Sequence, residues 1–186
     1  MRKMLFFLLL SSPLYMLAQD KFVPAIKQGA KLQYVVQVNG QDIPLYITFD
    51  SAATDFLRFN WSIEGMGSGK WIMKSKSLES ATRTYWNQPN PDTEEVLPDD
   101  QVVLILPRSV WKSIQQDKKA MLDNQNFQVK EATEKQQFKL AGKVVDAVYM
   151  ESGSTHYWIL NDANFPIILR IEGNMAGYDL LLQSAQ

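Results

Sequence analysis

The chain has 186 residues, with 19 basic and 20 acidic side chains, one histidine and no cysteine. The near-neutral balance offers no basic footprint for nucleic acid or anionic lipid. The missing thiols exclude disulfides, thiol catalysis, cysteine-based metal sites and a lipid-modified cysteine after a leader, so a fold of this length rests on one hydrophobic core.

Met1-Arg2-Lys3 is a short positive stretch, Met4 to Leu17 is apolar apart from Ser11-Ser12-Pro13, and Ala18-Gln19-Asp20 turns polar. That is the layout of a secretory signal peptide. Residues 1–19 are expected to be removed, with the cut near Ala18, leaving 20–186 as one β-rich domain that is periplasmic or extracellular. The apolar run is short and interrupted for a spanning helix, which needs about 20 residues. No later segment is long and apolar enough to span, so no stable membrane span is expected after signal removal. Loss of Arg2 and Lys3 leaves 17 basic against 20 acidic side chains, a mature charge of −3.

Lys31–Val38 alternates, with Leu32, Tyr34, Val36 and Val38 on one face. Asn39-Gly40 is a hairpin signal, and Ile43–Phe49 alternates again. Pro44 can donate no ladder bond and belongs at a strand start or edge. Phe56–Ile63 is a third strand. Gly65–Gly69 predicts a glycine-rich turn, Lys70–Lys74 a fourth strand and Thr82–Trp86 a fifth. Asn87–Asp100, with three prolines and five acids, predicts an exposed loop.

Val102–Leu106 suits either a strand or the first turns of a following helix. Pro107 suits the opening of that helix. Ser109–Met121 carries a rough apolar stripe through Val110, Trp111, Ile114 and Met121, with Gln115, Gln116, Lys118 and Lys119 on the wet face. Further strands are predicted over Phe127–Lys130, Gln136–Leu140, Val144–Met150, His156–Asn161, Ile167–Glu172 and Tyr178–Ser184. The fold class is therefore mainly β: a curved antiparallel sheet or half-barrel of hairpins with one embedded helix. The early strands alternate and so have one wet face, whereas Tyr157–Leu160, Ile167–Leu169 and Leu180–Leu182 are apolar on both. Something must cover their second face.

Three stretches carry a resemblance: Gly29-Ala30-Lys31-Leu32-Gln33-Tyr34, the run Tyr157–Leu169, and Gly177-Tyr178-Asp179-Leu180-Leu181-Leu182. Together with a helix interrupting a hairpin meander, they resemble the LolA-like half-barrel proteins of the cell envelope. The resemblance implies a curved sheet whose concave face is closed by helix and receives acyl chains. It implies no catalytic residues.

His156 alone cannot form a histidine-pair zinc site, and no metal or cofactor is expected. Asp50, Asp55, Glu64 and Asp146 show no spacing that selects a carboxylate pair. The glycines at 65–69 lack the lysine and the following helix of a phosphate loop. No local motif marks a general acid or base. The leading expectation is a non-enzymatic domain that binds an apolar small molecule or lipid on its concave face. Met73, Trp111, Ile114, Met121, Tyr149 and Trp158 are the candidate lining. An envelope assembly factor that binds a partner protein is the second reading, and a hydrolase of envelope polysaccharide or lipid the third.

Overall fold

Asn39 and Gly40 take positive φ at both positions, 50° and 75°, the geometry of a type I′ turn. They join β1 (Lys31–Val38) to β2 (Gln41–Ala53) with Val38 opposite Gln41. β3 (Phe56–Ile63) and β4 (Gly67–Lys74) continue the meander. Pro44 lies where β2 has only β1 beside it, because pairing with β3 begins at Leu45. A computed structural model of the chain describes residues 21–186. The expected signal peptide lies outside the described residues.

After β4 come α1 (Ser75–Ser80), β5 (Arg83–Thr84), β6 (Glu94–Val96) and β7 (Gln101–Val102). α2 (Arg108–Gln116) is followed by β8 (Lys119–Leu122), β9 (Gln125–Lys130), β10 (Lys139–Leu140) and β11 (Lys143–Val144). β12 (Ala147–Ser152), β13 (Thr155–Leu160), β14 (Ile168–Glu172) and β15 (Tyr178–Ala185) close the described chain. Eleven strands form one curved, open sheet in the order β6-β4-β3-β2-β1-β15-β14-β13-β12-β9-β8. The protein is mainly β, as the alternation predicts, and the sheet does not close into a barrel.

Four local expectations are corrected. Gly67 and Gly69 belong to β4 rather than to a turn, and each makes room for a neighbour: a Cβ on Gly67 would lie 3.0 Å from the Pro91 ring, and one on Gly69 would lie 2.8 Å from Trp61. The acidic proline-rich segment is not all loop, since β6 pairs in parallel with β4 and Leu97 is buried. The predicted fifth strand shrinks to β5, which pairs in parallel with β7. The helix expected over Ser109–Met121 stops at Gln116, because Lys118 takes φ 56° and β8 begins at once. Ala120 and Leu122 then point inward and Met121 outward, a period of two inside what the sequence offers as a helical stripe. α1 is a second, short helix.

The inner face of the sheet carries Leu32, Tyr34, Ile47, Phe59, Trp61 and Met73, all buried. Leu78 of α1, the Val102–Leu106 segment, and Val110, Trp111 and Ile114 of α2 pack into the same core. Val102–Leu106 is neither a long strand nor a helix. Past Val102 it is a buried run that bends at Val103–Leu104 and is tied to the sheet by Leu106 N–H to Pro166 O (3.0 Å) and Ile168 N–H to Leu104 O (2.9 Å). The second face of the late strands is covered by the excursion between β9 and β12. Phe138, Leu140 and Val145 are buried there, and Trp158 Nε1 donates to Gln136 O at 2.6 Å. This explains the two-sided apolarity of those strands.

Candidate functional site

The adjacent ends of β1, β2, β3 and β15 place Val36, Val38, Ile43, Leu45, Ile63, Tyr178 and Leu180 at one end of the inner face. With Met66, Trp71 and the segments Tyr85–Pro89 and Val103–Leu104 above them, they enclose an open-mouthed cavity of about 330 Å³. Register explains the lining. Val36 faces Ile43 on one side and Leu180 on the other, and Leu45 faces Ile63. Each of these belongs to the apolar phase of its strand. Helix and cover fill the rest of the inner face but leave this end open.

The cover is fastened at several points. Tyr85 N–H donates to Val102 O (2.8 Å), Asp92 N–H to Ser68 O (2.7 Å) and Lys70 N–H to Thr93 O (2.9 Å). Trp86 stacks on Tyr178, with centroids 6.1 Å apart and planes 13° from parallel. Trp71 forms part of the wall, stacked on Trp61 at 5.6 Å and edge-on to Tyr85 at 6.4 Å. The Tyr85 hydroxyl donates to the Glu95 carboxylate. Burial, and then Glu95, push that phenol up to about 12. Among the described residues, Trp71 Nε1 and Glu95 Oε2 are buried without a hydrogen-bond partner. They sit on directly paired positions of β4 and β6.

Leu104 is held at φ +59°. A bulky side chain in that region is an outlier that costs of order 1–3 kcal/mol. The bonds flanking it, including Val103 N–H to the Met73 sulfur at 3.3 Å, hold it in place. Leu104 is one of the residues that line the cavity.

The six residues predicted from sequence fall in three places. Met73 is fully buried in the core, and Trp111 and Ile114 are buried on α2. They lie on the same side of the sheet as the cavity but do not line it. Met121 is 64 % exposed on the outer side of β8. Tyr149 and Trp158 are register partners on the opposite face, ring centroids 5.0 Å apart, and line a separate cavity of about 370 Å³ beneath the β9–β12 excursion. There the Tyr149 hydroxyl accepts from Gln136 Nε2 (3.1 Å) and lies 2.7 Å from His156 Nδ1 and 3.2 Å from Glu151 Oε2. Burial first, and then Glu151, raise the Tyr149 phenol. His156 thus sits bonded to a strand neighbour, as expected of a lone histidine. Among the described residues no group of three or more histidine and carboxylate side chains could hold a metal ion, and no helix is long and apolar enough to cross a membrane.

The sequence missed the cavity lining because those residues look like ordinary inward positions. The usable signal was positional: Val36, Val38, Ile43, Ile63 and Tyr178 all lie next to turns at the same end of the sheet. In comparisons with known proteins, no family model, curated protein or solved structure matches this chain.

Proposed function

We propose that this chain is a binding domain for an apolar small molecule or lipid-like chain, held between the inner face of the sheet and the Tyr85–Leu104 cover. The observation that carries the reading is the cavity of about 330 Å³ with its predominantly apolar lining. Its size falls within the roughly 300–1,000 Å³ of small-molecule sites. The strained Leu104 supports the reading, because an outlier of this kind gathers where a binding surface must be shaped. The lining supplies apolar contact and neutral polar groups and presents no carboxylate, histidine or amine to a bound molecule.

Purified protein extracted with organic solvent and analysed by mass spectrometry should release an apolar compound. Naphthol added to stripped protein should bind with micromolar affinity. At a hundredfold excess over Kd it should stabilise the fold by about 2.7 kcal/mol. Val36→Phe pushes a ring into the middle of the cavity and should remove binding while leaving a cooperative melt. Stripped protein whose melting point no apolar compound raises would refute the reading and favour a cover that serves only packing.

A further inference from the structure

The cavity that carries the proposed function also constrains what can occupy it, in size and in charge. An apolar cavity of about 150 Å³ holds one benzene ring. A volume of about 330 Å³ therefore takes about twice as much, a single chain or fused ring pair of about a dozen carbons. A two-chain lipid does not fit inside it.

The charge argument is independent of size. None of the lining residues is charged, and the exposed polar side chains among them are the amides of Asn87 and Gln88. Sites that take carboxylate or phosphate supply arginine or lysine to meet it. Only four charged residues adjoin lining residues in the sequence: Asp42 before Ile43, Glu64 after Ile63, Lys70 before Trp71, and Asp179 between Tyr178 and Leu180. Three of them are acids. The one cation, Lys70, is already held by Glu94, whose carboxyl it draws below the usual range. Alternation turns Asp42, Lys70 and Asp179 to the other side of the sheet, where Asp42 and Asp179 border a separate cleft with Arg170, so an anionic head in the cavity would meet no counter-charge in its lining. The wall adds no cation of its own, since Trp71 Nε1 is buried and the Tyr85 hydroxyl is bonded to Glu95.

We infer, resting on the binding reading above, that the occupant is an uncharged, single-chain amphiphile of about a dozen carbons, an alcohol, ester or amide, whose head meets Asn87 and Gln88. Fatty-acid anions and phospholipids are discriminated against.

The test is titration calorimetry of stripped full-length protein with three ligands of one chain length: decanol, decanoate and decylamine, at about pH 8, where the acid and the amine are both ionised. Decanol should bind most tightly and decanoate at least about tenfold more weakly, a difference of about 1.4 kcal/mol. Asn87→Ala with Gln88→Ala should weaken decanol and narrow its advantage over decanoate. Decanoate binding as tightly as decanol would overturn this inference and leave the apolar-ligand reading standing. Decylamine binding more tightly than decanol would overturn the neutral assignment in favour of a cationic head. If none of the three binds while wild type melts cooperatively, the inference and the binding reading both fall.

Discussion

Gly69→Ala tests the aromatic wall directly. Gly69 lies opposite Trp61 in the β3–β4 ladder, and its φ is not in the left-handed region, so only space is at issue. A Cβ there would stand 2.8 Å from Trp61 Cζ2 and 2.9 Å from both Trp61 Cε2 and Thr93 O. That is about 0.6 Å short of ordinary carbon contact. Neither neighbour can easily withdraw. Trp61 is 1 % exposed and stacked on Trp71, and Thr93 O is the backbone acceptor that joins the cover to β4 through Lys70 N–H. Overpacking of this kind costs about 1–3 kcal/mol. For a domain of this length each kcal/mol lowers the melting temperature by roughly 2–4 °C. Urea titration followed by tryptophan fluorescence should show an earlier midpoint, and naphthol should bind more weakly because Trp71 moves with Trp61. Gly142→Ala is the control, as its Cβ would meet nothing within 4 Å and only its φ of +78° is unfavourable. A Gly69→Ala protein with an unchanged midpoint and unchanged naphthol affinity would show that Trp61 does not lie over Gly69 and that the wall is not built as described.

Trp111→Ala removes a buried indole from α2 and should cost about 3–5 kcal/mol; a wild-type thermal midpoint would mean that α2 is not docked on the core. Leu104→Gly should be more stable than Leu104→Ala by about 1–2 kcal/mol, since only glycine accepts φ +59° without penalty; chemical denaturation of the pair decides, and the ordinary order, alanine above glycine, would refute the strain. Burial raises the phenols of Tyr34, Tyr85 and Tyr157 above the ordinary tyrosine value. The fold therefore favours their neutral forms, and stability present below about pH 10 is lost as pH rises, for Tyr85 through about 12. Absorbance titration of tyrosinate, with single Tyr→Phe variants assigning the signal of each of these three, should show their ionisation and unfolding together by circular dichroism, and a phenolate of Tyr34, Tyr85 or Tyr157 that forms in folded protein near pH 10 would contradict the burial.

The strands were legible where one face is wet and the turn chemistry is explicit. Lys31–Val38, Asn39-Gly40 and Phe56–Ile63 were read with their boundaries because period-two alternation and a positive-φ turn leave few alternatives. The parts that failed depend on contacts distant in sequence. β6 exists only because β4 offers its edge in parallel, which Glu94–Val96 cannot announce. Met121 satisfied a helical period and a strand period equally, and Lys118 in the left-handed region decided between them. The candidate site failed for a related reason. Sequence reasoning could group large apolar side chains, but it could not say which face of the sheet Tyr149 and Trp158 occupy. Nor could it see that Trp111 and Ile114 fill the inner face while the space beside Val36 and Leu180 stays open.

The sheet order has a consequence for how the chain reaches this structure. Strands close in sequence build two ladders, one from β1 to β4 and one from β9 through β12 to β14, and β15, the last described strand, lies between β1 and β14 and joins them. Leu32 is paired with Ala185, so closing the centre of the sheet brings together residues from nearly opposite ends of the described chain. Such distant pairing is slow to form. Until residues 178–185 dock, β1 presents Leu32, Tyr34 and Val36 along an open edge, the kind of template on which chains join one another. Recovery of soluble protein is then a race between arrival of the last strand and association of unfinished chains.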